Sequence, residues 1–497
     1  MGFKMMAQLL TAATAAGWNF DNSYCRLPEL FYKFQNPVPV QQPRFTMFNA
    51  ALAEALGLNQ EMLQGAGCER LFGGNEIPAG AQPIAQAYAG HQFGHFAMLG
   101  DGRAVLWGEH ITPEGKRFDI QLKGAGQTFF SRRGDGRAAL GPMLREYIIS
   151  EAVYRLGIPT TRSLAVVTTG EPVYRETVLP GAVLTRVAAS HIRVGTFEYA
   201  SASGTAQDLL ALADYTLQRH YPELMDADNR YLAFLQTVMD RQASLVAQWQ
   251  LLGFVHGVMN TDNIAISGET IDYGPCAFMD AYDPATVFSS IDQQGRYAYG
   301  KQPTMMQWNM ARLTEALLPL LHSDSSKALA MGQEAVQTFH AAFQRYWLAG
   351  MRLKLGLMTE EADDADLIAG FLNWMHQHQK DFTHTFRLLS SDNLHQETFF
   401  SDPAFSTWYA QWQVRLLRQT AGWTDAQQVM NAHNPVVIPR NHRVEAVLEA
   451  AVKEGDLAPL HRLLAVLEFP YRDRPENRAY YLPPDPGGAP YRTFCGT

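Results

Sequence analysis

His256-Gly-Val-Met-Asn-Thr-Asp262-Asn263 and, nine residues further on, Asp272-Tyr-Gly274 set an amide oxygen and a carboxylate on opposite sides of one short turn. These are hard oxygen donors that suit magnesium, an ion that keeps phosphate and water as its other ligands. The residues between them read as two short strands, Asn263-Ile-Ala-Ile266 and Thr270-Ile-Asp272, joined by the turn Ser267-Gly268-Glu269. An Asx turn at Asn263 and a capping Asp272 would explain each residue alone, but not their joint position after His256. His256 closes the apolar stretch Leu251-Leu-Gly-Phe-Val-His256 and reads as a structural, hydrogen-bonded histidine. A second carboxylate, Asp262, stands directly beside Asn263.

Protein kinases carry the same order, H-R-D-x-x-x-x-N and then D-F-G, in which the first Asp receives the proton of the substrate hydroxyl and the Asn and second Asp hold magnesium. Asn263 falls at the expected distance from His256, yet the position of the base, two residues after the histidine, is Val258. The metal set is kept and the usual base is missing. Upstream, residues 97–109 read as a hairpin in which Asp101-Gly102 supplies the positive φ of a tight turn. Residues 117–123 alternate as a strand, and 141–156 read as a helix with Pro142 in its first turn and Gly157 past its end. Further strands follow around 163–169 and 183–186. Sheet, one helix, then more strands is the element order of a kinase small lobe. Residues 45–56 show helical apolar spacing closed by Gly57, helical periodicity takes over after about residue 205, and the last residues are rich in Pro, Gly and Tyr. The expected fold is α+β, protein-kinase-like and two-lobed, with an N-terminal extension and helical C-terminal additions. Its divisions are an extension packed on the core over 1–80, a small lobe over 81–204, a helical large lobe over 205–460 and an extended tail over 461–497.

Composition narrows the class. The 497 residues are 47% hydrophobic and 11% aromatic, enough to bury large cores in two or three lobes. A formal charge of −9 argues against a general nucleic-acid binder, which needs a basic surface. Four cysteines in so long a chain make no disulfide framework, and none has zinc-ligand spacing. No apolar run approaches the roughly 18 to 20 residues of a membrane span, so no membrane partner is expected. The first sixteen residues have a faint signal-like look, but Gln8, Thr11 and Thr14 interrupt the run. An amphipathic helix leading into Trp18 is the expectation, in a cytoplasmic protein.

Nucleotide chemistry needs countercharge for phosphates and a group to take the proton of the attacking hydroxyl. Lys123 ends an alternating strand and is followed by Gly124-Ala125-Gly126, where backbone can approach a phosphate. Glu146 shares a helix face with Ile149 and Val153, and a carboxylate on an inward face must be paired. Lys123 is its natural partner. Two turns, Gly100-Asp-Gly-Arg103 and Gly134-Asp-Gly-Arg137, each present backbone N–H groups and an arginine. Arg186 and Arg193 add two more cations, so Arg103, Lys123, Arg186 and Arg193 would form a local sink for a triphosphate in an acidic protein.

With these residues assembled, the chain closely resembles the selenoprotein O family of kinase-like protein adenylyltransferases. The matching blocks are residues 20–29, Tyr88-Ala-Gly-His-Gln-Phe-Gly94, residues 100–104, Gln121-Leu-Lys-Gly-Ala-Gly-Gln-Thr128, residues 193–198 and 256–263. With the match beginning at Phe20, no presequence of ordinary length is expected. The resemblance implies ATP bound in a flipped orientation, so that AMP passes to a Ser, Thr or Tyr hydroxyl of a protein. It implies nucleotide contacts at Gly100, Gly102, Arg103, Lys123, Asp135, Gly136, Arg186, Arg193 and Asp272, with Glu146 holding Lys123. It further implies Asp262 as base, and Asn263 and Asp272 as ligands of Mg2+ or Mn2+. Some family members place selenocysteine where Cys495 stands, and some link the tail to the region after the metal Asp, which makes Cys276 and Cys495 a candidate redox pair. Alternatives are γ-phosphoryl transfer, UMP transfer from UTP with manganese, and a nucleotide-binding pseudokinase without activity. The retained Lys, Glu, Asn and Asp argue against the last.

Overall fold

The computed structural model describes residues 16–392, 394–484 and 491–493. Its first half is organised on one antiparallel sheet. The strands are β1 (Tyr32–Phe34), β2 (Arg44–Phe48), β3 (Ile84–Gln86), then a separate hairpin of β4 (Ala89–Gln92) and β5 (His95–Met98), followed by β6 (Ala104–Ile111), β7 (Arg117–Lys123), β8 (Ala138–Ala139), β9 (Arg162–Tyr174) and β10 (Val178–Ala188). The order in the main sheet is β1-β3-β6-β7-β10-β9-β2, with β8 joining β10. Residues before 80 therefore supply both edge strands.

Alternation sorts the two faces of this sheet. On β7, Ile120 and Leu122 point to one side and pack with Trp107, Val183, Leu52 and Phe72 in a core closed by the N-terminal segment. Asp119, Gln121 and Lys123 point to the other side, where Arg186 stands opposite Gln121 across the β7–β10 ladder. That polar side faces the cleft. A short helix, α1 (Ala50–Ala55), lies in the N-terminal layer, and α2 (Leu140–Arg155) crosses the cleft side of the sheet. Helix α2 is buried nearly all round, which its weak amphipathicity reflects.

The second half is helical: α3 (Val194–Ser203), α4 (Ala206–His220), α5 (Arg230–Leu251), α6 (Gln302–Leu321), α7 (Ser325–Lys354), α8 (Asp364–Gln377), α9 (Pro403–Leu417), α10 (Trp423–His433), α11 (Asn441–Glu449) and α12 (Ala458–Leu467). Between α5 and α6, β11 (Phe254–Val255) pairs antiparallel with β12 (Ala277–Phe278) and closes the base of the loop that carries 256–274. Helices α11 and α12 lie against α2. Among the described residues no helix is long and apolar enough to cross a membrane.

Four local expectations are corrected. Residues 45–48 are strand, not helix, because Asn49 caps α1 by accepting from Leu52 N–H and so starts the helix after them. Residues 97–109 are not a hairpin: β5 turns back on β4 while β6 enters the main sheet, and the positive φ belongs to Gly100 at 120°. Asp101 is buried instead of sitting on a turn, its carboxylate accepting from Gln86 N–H and Gln121 Nε2. The 263–272 hairpin shrinks to the single bridge Ile264–Thr270, since Thr261–Asn263 is a 3-10 turn and Asp272 takes φ 66°. Helix α12 runs into the segment expected to be an extended tail. The helix expected over residues 1–15, and Cys495, lie outside the described residues.

Candidate active site

Lys123 and Arg186 leave the sheet on its cleft side, and α2 brings Glu146 up to both. Lys123 Nζ donates to Glu146 Oε2 at 2.6 Å, while Arg186 Nε and Nη2 donate to Glu146 Oε1 at 2.9 and 2.6 Å. Asp272 completes a knot of two cations and two carboxylates: its Oδ1 accepts from Lys123 and, at 3.2 Å, from Arg186. Burial would raise the Glu146 carboxyl, but Arg186 and Lys123 hold it below its ordinary value. For Asp272, burial is outweighed by Lys123, Arg186 and Arg103, which hold it well below the carboxylate range. The Glu146 side chain is only 2% exposed, whereas 31% of the Asp272 side chain still faces the cleft.

The ion pairs of Asp272 fall on Oδ1 and leave Oδ2 outside the knot. Asn263 commits Nδ2 to Val258 O at 3.1 Å, so its Oδ1 is the uncommitted end. One amide oxygen and one ionised carboxylate fit a divalent ion that takes its remaining ligands from phosphate and water. Among the described residues there is no cluster of three or more His, Cys, Asp or Glu able to hold an ion by protein ligands alone.

Asp262 belongs to the 3-10 turn just before Asn263 and is 8% exposed. Its Oδ1 is buried without a hydrogen-bond partner, and burial pushes the carboxyl up to about 6 against the pull of Arg193. Arg193 fixes the turn by donating to Asp262 O at 2.7 Å, and its guanidinium stacks on Tyr88 at 4.4 Å. Gly90 of β4 presses on the carboxylate so closely that a Cβ there would lie 2.3 Å from Oδ1. Behind the turn, His91 N donates to Thr261 Oγ1 at 2.6 Å and His91 Nδ1 meets Glu198 Oε1 at 2.5 Å. His256 is buried, its Nε2 2.9 Å from Ile271 O, in the structural role expected of it.

These groups open on a cavity of about 330 Å³ lined by Gly100, Gly102, Arg103, Asp135, Gly136 and Asp262. Of the nucleotide-site residues expected from the sequence, Gly100, Gly102, Arg103, Asp135 and Gly136 line this cavity, Lys123, Arg186 and Asp272 form the ionic knot, and Arg193 stands against the Asp262 turn. Arg186 is packed into the knot, not free in the cavity, and Asp135 is gripped by Arg175 at 2.8 and 3.1 Å. Arg137, the arginine of the second glycine turn, also lines the cavity, as do Tyr88, Gln92 and Arg175, to which sequence reasoning assigned no individual role. The block 88–94 was conspicuous as a motif, but its packing against Asp262 is a tertiary fact with no local signature. Cys276 lies under the site, its thiol buried and pushed up to about 12.

A lysine–glutamate pair between sheet and helix, joined to Asp272 of the facing loop nine residues after Asn263, with Val258 at the kinase base position, defines a kinase-like fold. The family model described as "Protein adenylyltransferase SelO" matches residues 15–468. The protein nucleotidyltransferase YdiU of Brevibacillus brevis is 60% identical over 481 residues, covering 97% of this chain and 98% of that one. YdiU of Syntrophotalea carbinolica is 59% identical over 484 residues, covering 97% and 98%, and YdiU of Bacillus cytotoxicus is 58% identical over 487 residues, covering 98% and 99%. The chain belongs to the SelO family and is a protein nucleotidyltransferase. A solved chain, ROP2 of Toxoplasma gondii, described as having a protein-kinase fold and no enzymatic activity, overlays with a TM-score of 0.24 at 10% identity over 70% of this chain and 86% of that one.

Proposed function

We propose that this chain moves AMP from ATP, seated in reverse relative to a kinase, onto Ser, Thr or Tyr hydroxyls of proteins. The acceptor oxygen attacks the α-phosphorus, the bond to the bridging oxygen breaks, pyrophosphate leaves and the hydroxyl proton passes to Asp262. The observation that carries this reading is Asp262 itself, a residue that lines the cavity and whose Oδ1 is buried without a hydrogen-bond partner, while Val258 occupies the kinase base position. Arg103, Lys123, Arg186 and Arg193 supply positive charge toward the phosphates, and Gly100, Gly102, Asp135 and Gly136 form the cradle. Asn263 and Asp272 would hold Mg2+ or Mn2+, which would supply countercharge to the phosphates.

We place the reaction in the cytoplasm, in keeping with a cysteine-poor acidic chain. A Cys276–Cys495 link is part of the same proposal, supported by Thr493 Oγ1 donating at 2.8 Å to the carbonyl of Pro275, the residue before Cys276. Parallel incubations with α-labelled and γ-labelled ATP test the transfer: label should enter protein from the α-phosphate alone. Label entering from the γ-phosphate would make the enzyme a kinase. Excess unlabelled UTP that abolished the α-label would shift the donor to UTP.

A further inference from the structure

Strand β5 has an open edge. It pairs with β4 in a two-stranded sheet and with no other strand among the described residues. The two are joined by Phe93 and Gly94, both at positive φ (51° and 90°), a turn that makes Gln92–His95 and Gly90–Ala97 the hydrogen-bonded pairs. Phe96 and Met98 therefore turn their backbone N–H and C=O groups away from β4. The guanidinium of Arg132 takes Met98 O, which leaves Phe96 N–H, Phe96 C=O and Met98 N–H along the rim. The side chains there are apolar and bare, Phe96 45% and Met98 44% exposed. An exposed apolar edge of this kind is a template for pairing with another chain.

The other side of the same hairpin is fastened to the catalytic loop. Gly90 touches Asp262, His91 N–H is held by Thr261 and Phe93 N donates to Asn260 Oδ1 at 3.0 Å. After Met98 the chain passes directly into Leu99 and Gly100 of the nucleotide cradle. At the hairpin tip Arg296 lies beside Gly94 and 4.8 Å over the Trp308 ring, without an ion pair to any described carboxylate. A strand added to β5 would be held in fixed register with Asp262 and pass an arginine that has no carboxylate partner among the described residues.

We propose that β5 is where the protein to be modified docks, an extended segment of the acceptor adding as a third strand and delivering a hydroxyl a few residues along to Asp262. This rests on the transfer reaction proposed above. The occupant follows from the site: the acceptor is a polypeptide, the edge lies one strand away from the base across β4, and main-chain pairing is indifferent to side chain. That indifference suits an enzyme serving three kinds of hydroxyl.

The test compares the wild-type full chain with Phe96→Pro and with the double variant Phe96→Lys/Met98→Lys. Phe96→Pro removes an outward N–H without touching the ladder to β4, a position where an edge strand tolerates proline. The lysines place charge on the rim. Acceptors are reduced, carboxymethylated α-lactalbumin and the native form of the same protein, with α-labelled ATP as donor. Both variants should raise KM for the unfolded acceptor by about tenfold or more, with KM for ATP and the melting temperature unchanged. An unchanged acceptor KM in both variants would overturn the inference, as would wild-type labelling of the native but not the unfolded acceptor. Loss of nucleotide affinity in both variants would show that the edge supports the cleft instead of the acceptor. Should the wild type label no protein, itself included, the reaction reading fails and the docking site falls with it.

Discussion

Asp262 and Asp272 are the same residue type ten positions apart, and their surroundings drive them in opposite directions. Asp262 is raised by burial to about 6 against the pull of Arg193, which bonds its main-chain carbonyl and not its carboxylate, whereas Asp272 has Lys123 and Arg186 in contact and stays ionised far below that. A group poised near the working pH suits proton transfer, and one locked as an anion suits an ion-binding role. Asp262→Asn should therefore leave ATP affinity within about twofold and slow transfer by on the order of 10² to 10⁴. Asp272→Ala should abolish transfer and weaken metal-dependent nucleotide binding together. Titration of ATP in the presence of magnesium, beside single-turnover labelling from α-labelled ATP, separates the two. A full-rate Asp262→Asn enzyme would remove that residue as base.

At the scale of elements, the site depends on α2 being pressed against the sheet. Arg145 on α2 donates to Cys276 O at 2.7 Å and to Glu445 of α11 at 3.0 Å, so the helix is tied to both the catalytic loop and the C-terminal addition. Glu146 holds the buried ends of Lys123 and Arg186, and removing one member of such a knot strands the others. Glu146→Ala should cost about 3 to 5 kcal/mol of stability in urea unfolding, with transfer lost at temperatures where the variant is still folded. A cost near zero would mean that the two cations re-pair with Asp272 alone. Strand β7 and helix α2 were legible in the sequence because alternation and flanking Pro142 and Gly157 are local signals. Asn263 and Asp272 were legible for the same reason, since a fixed spacing carries them. The strand over 45–48 was not, because Phe45, Met47 and Phe48 fit either period until the cap at Asn49 is recognised. Glu198, His91, Arg175 and the β4–β5 hairpin could not be read, because their meaning arises from contacts between residues far apart in sequence.

At the scale of the molecule, the two halves meet at a buried polar joint near the cleft. Asp119 on β7 accepts from His191 N–H at 2.8 Å, lies 2.9 Å from His191 Nδ1 and accepts from Arg219 of α4 at 2.5 Å. Burial raises the Asp119 carboxyl in isolation, but Arg219 and His191 bring it down to about 2. His191 is pushed down from 6.5 to about 4, first by burial and also by the charges of Arg186 and Arg193, although Asp119 opposes the change. The folded chain therefore holds His191 neutral while the unfolded chain protonates it. A depressed folded pKa contributes stability that is present above about 6.5 and is lost as pH falls toward about 4, at about 1.4 kcal/mol per pH unit. His191→Asn keeps a donor for Asp119 and removes the titration. Its stability relative to wild type should rise by about 2 kcal/mol between pH 7.5 and pH 5, whatever its offset at pH 7.5. Paired urea unfolding curves at the two pH values read this difference directly, with the other buried acids common to both proteins and cancelling. A difference that does not change with pH would mean that water reaches His191 and that the joint between the halves is open.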